Sequence, residues 1–169
     1  MPTWTDPNQG KSELVRMLCA WWEAARGDAD VPDRSDLRPD EMRRLLPFMF
    51  IADAEHQPFR VRYRLVGTRA VEVTGFDITG HYLDELLSAE PHQPWMNHYR
   101  QAYVSRKPVL GTTIVPTNAG GVLTYEFGIF PLRKGAVSID QFVAVEDYFG
   151  FVSRIVRVEP WRETSFALR

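Results

Sequence analysis

Gly67, Gly75 and Gly80 fall within fourteen residues of each other, directly after a run of alternating apolar residues and arginines. Glycines leaving a strand can cradle a phosphate. These are not spaced as G-x-G-x-x-G, however, and no G-K-[ST] follows them, so their role is read as conformational. Four histidines, His56, His81, His92 and His98, show neither the H-x-x-x-H nor the carboxylate spacing of a metal site. Cys19 is the only cysteine, which rules out an internal disulfide or a thiolate cluster and fits a reducing compartment. Flanked by Leu18 and Trp21, it reads as a small buried side chain. Serine, histidine and acid sets are dispersed, no G-x-S-x-G occurs, and Asp84 and Glu85 are adjacent rather than paired across a cleft. The chain is therefore read as a non-enzyme.

The aromatic residues offer more. Trp95, Tyr99 and Tyr103 share a helix face, and Tyr125 and Phe127 share a strand face. If that helix lies across the sheet, these rings meet around one space, and their hydroxyls need each other, water or a ligand as partners. Tyr63 and His98 join them as candidate cavity residues. A filled core and a ligand cavity both satisfy this pattern.

The elements that would position these groups are legible from periodicity. Residues 12–26, SELVRMLCAWWEAAR, place Leu14, Leu18, Trp21 and Ala25 on one helical stripe, widened by Val15, Met17 and Trp22 and ended by Gly27. Pro39 and the acids Asp40 and Glu41 suit the start of a short helix, PDEMRRLL, limited by Pro47. Residues 48–55 read as a strand. In residues 59–65, Phe59, Val61, Tyr63 and Leu65 alternate with Arg60, Arg62 and Arg64, and only a strand period does this. Thr68 is placed to cap RAVEVT, with Gly75 as its left-handed end, and Thr79 to cap GHYLDELL. Residues 91–107 form the longest mid-chain helix, stopped by Pro108. Strands follow at 109–115, 123–132 and 141–149, the first two joined by PTNAGG. The fold class is α+β: one mostly antiparallel sheet with helices packed on it.

At 169 residues, 44% hydrophobic and 25% charged, the chain suits one domain with ample core. Its formal charge of −2 argues against nucleic acid as a partner. No run approaches the ~18 apolar residues of a membrane span, and the N-terminus lacks the order of a secretory signal, so the expected location is cytoplasmic.

The motifs at 22–27 (WEAARG), 31–47 (VPDRSDLRPDEMRRLLP), 59–68 (FRVRYRLVGT), 75–86 (GFDITGHYLDEL), 105–111 (SRKPVLG) and 130–135 (FPLRKG) resemble those of the PAS domain family. More narrowly, they are similar to short stand-alone bacterial PAS proteins with an N-terminal helical extension. The resemblance implies a five-stranded antiparallel sheet in order 2-1-5-4-3, with helices over one face enclosing a ligand cavity. It divides the chain into an N-terminal extension (1–47), a PAS core (48–150) and a C-terminal tail (151–169). It further implies a sensory or regulatory module without a fused output domain, acting on a small-molecule ligand, a signalling protein partner, or both. Two other readings remain beside it: a ligand-free adaptor and an α+β cone or hot-dog enzyme.

PAS domains can hold haem through a histidine on the long helix, where His92 and His98 fall. The stretch ITGHYLDELLSAE has no cysteine where light-sensing relatives form a flavin adduct. Haem and non-covalent flavin thus stay open as cofactors, without a motif for either. Leu14, Leu18, Trp21 and Trp22 are the candidate homodimer interface, with one tryptophan expected on the sheet and the other at the interface. The arginine row reads as a partner surface or as a solvated face paired with Asp53 and Glu55.

Overall fold

The alternating run forms a strand, β3 (Phe59–Val66), paired antiparallel with β2 (Met49–His56). The computed structural model describes residues 2–86, 93–117, 119–135 and 138–151. Three further strands follow: β4 (Val109–Pro116), β5 (Val122–Arg133) and β6 (Ile139–Asp147). A two-residue strand, β1 (Thr3–Trp4), completes one antiparallel sheet in the order β1-β4-β5-β6-β2-β3. The expected five-strand order is intact within it. The sixth strand corrects the expectation: Thr3 and Trp4 pair with Gly111 and Leu110 on the β4 edge. Two residues carry no readable period, and their conformation comes from an edge that needs a partner.

Four α-helices are described: α1 (Glu13–Arg26), α2 (Thr68–Thr74), α3 (Leu83–Leu86) and α4 (Gln93–Ser105). The stretch 39–46 is not the expected helix. Successive turns run through it, with Met42 donating to Pro39, Leu45 to Met42, and Leu46 to Met42. Between Pro39 and Pro47 there is too little chain to offset the cost of a helical nucleus. Gly67, not Thr68, is the N-cap of α2. A Cβ at Gly67 would stand 2.3 Å from the Pro47 carbonyl oxygen, so close approach selects the glycine. Gly75 ends α2 with φ 71°, as the sequence implies. Thr79 instead donates its hydroxyl to Asp77, and α3 is a single turn. Pro91, His92 and the tail beyond Phe151 lie outside the described residues.

The ladder registers sort side chains onto two faces. Phe127 stands opposite Glu146, Ile129 opposite Ala144, and Phe50 opposite Ala144. These, with Ala52, Tyr63, Tyr125 and Phe142, form the inner face, which α4 covers: Tyr99 meets Phe142 with ring centroids 5.1 Å apart. The outer face carries Glu126, Gly128, Phe130 and Leu132 from β5 and Val143, Val145 and Asp147 from β6. There α1 packs, burying Val15, Leu18, Cys19 and Trp22 and donating the Trp22 indole N–H to the Pro131 carbonyl at 2.8 Å. Burying a large apolar side chain contributes about 2 kcal/mol, so these residues tie α1 to the sheet. Helices thus lie on both faces, with α1 opposite α4.

Candidate functional site

The strand period of β6 sends Phe142, Ala144 and Glu146 inward. Glu146 is thereby a carboxyl on an otherwise apolar stripe. Four tyrosines lie within its electrostatic reach: Tyr63 on β3, Tyr99 on α4, Tyr125 on β5, and Tyr148 just past its own strand. Each hydroxyl is close enough to feel its charge. The Tyr148 hydroxyl donates to Glu146 Oε2. The Tyr63 and Tyr99 hydroxyls are near enough to shift each other's titration. Tyr125 packs at a tilt against Tyr148 with centroids 5.1 Å apart.

Burial dominates the electrostatics here. It pushes Glu146 up to about 7, against which the Tyr148 hydrogen bond pulls only weakly. The same burial, reinforced by the Glu146 charge, raises the Tyr99, Tyr125 and Tyr148 hydroxyls well above their ordinary value. Glu146 nevertheless keeps accessible surface, and its Oε1 hydrogen-bonds to no described residue while not being sealed. The Tyr125 hydroxyl is likewise unpartnered among the described residues and unsealed. Gly111, opposite Phe127 on β4, helps shape this region: a Cβ there would stand 2.6 Å from the Phe127 ring.

Two sealed polar atoms border the same cluster. Thr113, opposite Tyr125, has an Oγ1 without a partner, and His98 has an Nε2 without one. His98 stacks on Phe127 at 5.2 Å and meets Trp95 edge-on at 6.0 Å, and burial holds its pKa below the usual histidine range, so it is neutral. Trp95 in turn lies 4.7 Å from Phe127. Enclosed by these rings, the His98 Nε2 offers an iron no approach, and haem does not fit this packing.

Of the residues singled out from sequence, Tyr63, Trp95, His98, Tyr99, Tyr125 and Phe127 come together on the inner face. Tyr103 departs from that set: it joins His56 and Phe59, with its hydroxyl 3.2 Å from His56 Nδ1. Glu146, Tyr148 and Thr113 were not singled out. A signal for Glu146 existed, since period two aligns it with Phe142 and Ala144 in a strand rich in apolar residues.

On α1, Leu18 and Trp22 are buried in the chain's own core, which corrects their assignment to a dimer interface; Leu14 and Trp21 stay half-exposed. The arginine row is occupied within the chain. Arg64 pairs with Asp53, Arg60 with Asp84 and Glu85, and Arg62 donates to the Gly80 carbonyl. Glu55 accepts from the Tyr82 hydroxyl rather than from an arginine, and the Arg60 guanidinium lies 3.7 Å over the Tyr82 ring.

No described helix is long and apolar enough to cross a membrane. A family model described as a PAS domain matches residues 11–145. Similar solved structures include the light state of the blue-light photoreceptor Aureochrome1 LOV. It is 16% identical, with 64% of this chain and 86% of that chain covered at TM-score 0.45. A fungal LOV domain photoreceptor is 14% identical, with 81% and 92% covered at TM-score 0.45. At these scores the likenesses carry no argument about ligand or chemistry. A search among curated proteins found no match.

Proposed function

Because this chain belongs to the PAS domain family, we propose that it works as a sensory module, not an enzyme, taking a small molecule against the inner face of its sheet. One observation carries this reading. Glu146 lies within electrostatic reach of four tyrosines, keeps accessible surface with Oε1 unpartnered, and has no counter-charge among the described residues. A closed structural core has no use for such a group, because a buried carboxyl without full pairing costs stability. A ligand that completes it recovers that loss.

The route outward is one residue long. Asp147 follows Glu146 and points to the outer face, where it accepts from the Ser12 hydroxyl at 2.8 Å. Its ladder partner Glu126 accepts from the backbone N–H groups of Lys11 and Ser12. Occupancy at Glu146 therefore biases the strand end that holds the start of α1, and the altered α1 is what a signalling partner or a second copy reads. Leu14 and Trp21 are the α1 residues left for a homodimer contact. Sedimentation tests it: a self-associating wild type and a monomeric Trp21→Glu variant support the dimer, and two monomers end it.

The sensing role is tested by the native mass of freshly purified protein, followed by melting in the presence of metabolite mixtures. An added mass released on denaturation, or a raised melting temperature, is expected, since native-state binding stabilises. A bare mass with no stabilisation by any mixture favours the ligand-free adaptor.

A further inference from the structure

The chemistry around Glu146 limits what would fit there. Every described arginine ion pair is made to a different carboxyl, so an ionised Glu146 has no cation beside it among the described residues. The titratable groups that face it are Tyr63, Tyr99, Tyr125 and Tyr148. His98, further along the same face, is kept neutral by burial and supplies no charge. An anionic guest would be placed against a carboxyl in a low-dielectric setting, where like charges repel strongly. A cation meets the opposite situation. Aromatic faces attract it through their quadrupoles, desolvation strengthens that attraction, and a carboxyl completes the pair.

We propose that this site takes a small organic cation, a protonated amine or basic heterocycle on an apolar body, with Glu146 as counter-charge and the rings of Tyr125 and Tyr148 beside it as walls. The proposal rests on the inner face being the ligand site. Pairing selects the ionised carboxyl, so binding strengthens as pH rises through the Glu146 titration near 7 and releases a proton below it.

The experiment compares three probes of one shape on the full chain: phenethylamine, the neutral 2-phenylethanol and the anionic 3-phenylpropionate. Only the amine should raise the melting temperature, and its affinity should fall about tenfold between about pH 8 and about pH 6, as a carboxyl near 7 protonates. Glu146→Gln, nearly the same shape, should weaken the amine at least about tenfold. Tyr125→Leu keeps an apolar wall without a ring and should weaken it about two- to fivefold. A guest carried through purification should likewise be basic. Binding of the alcohol or the acid as tightly as the amine, or a neutral or acidic guest, overturns the cation while leaving the ligand site standing. No stabilisation by any probe, together with a bare native mass, removes both.

Discussion

Glu126 and Glu146 are glutamates on opposite faces of one sheet, and neither carboxyl is paired with an arginine or lysine among the described residues. Glu126 is complete. Both of its oxygens accept backbone N–H groups, from Lys11 at 2.8 and 2.9 Å and from Ser12 at 2.8 Å, fixing the chain just ahead of α1. Glu146 is incomplete, with one tyrosine hydroxyl on Oε2 and no described partner on Oε1. The same side chain, a few ångströms of backbone away, serves as a structural clasp in one case and as an open valence in the other. What separates them is whether the chain supplies the donors.

The largest expected effect is on the clasp. Glu126→Ala leaves the Lys11 and Ser12 N–H groups without acceptors and should lower stability by about 3 kcal/mol in urea unfolding, with α1 loosened. A loss below about 1 kcal/mol would show that water replaces the carboxyl freely.

Glu146→Gln should act in the opposite sense and only at higher pH. The carboxyl titrates near 7 when folded against 4.5 as its ordinary value, so the folded chain holds a proton that the unfolded chain has released. Wild-type stability should fall as pH rises from about 4.5 to about 7, by at most about 3 kcal/mol and less for the surface it keeps accessible. The glutamine variant should lack that slope. Parallel pH profiles would place Glu146 in water.

Smaller effects sharpen the contrast within the inner face. Tyr148→Phe removes the one described donor to Glu146 and should cost about 1 kcal/mol at pH 7. Tyr125→Phe deletes a hydroxyl with no described partner and should change stability by less than about 0.5 kcal/mol. A larger loss at Tyr125 would mean that its hydroxyl has a partner in the empty chain.

What sequence conveyed, and what it did not, follows the reach of the interactions. The β3 strand, Gly75 at the end of α2, and the ring-bearing face of α4 depend on contacts within a few residues, and each is where periodicity puts it. Strand order came through family resemblance, not through any residue pattern. Thr3 and Trp4 became strand only because a distant edge was free. Gly67 became a cap because Pro47 crowds it from twenty residues away. The site divided in the same way. Tyr63, Tyr99, Tyr125 and Phe127 were visible as apolar-face aromatics. Glu146 was not, because a polar residue near a strand end reads as solvent-facing until the ladder assigns its side. Tyr103 misled for the opposite reason: helical spacing groups it with Tyr99, but the β2–β3 hairpin draws its ring to His56 and Phe59.

The placement of α1 has a practical corollary for anyone trimming this chain. A fragment starting at residue 48, where the strands begin in earnest, would leave Phe130, Leu132, Val143 and Val145 wet on a broad greasy slab. Such a piece should clump rather than dissolve, so the shortest unit worth expressing begins ahead of Lys11, the residue whose N–H grips Glu126.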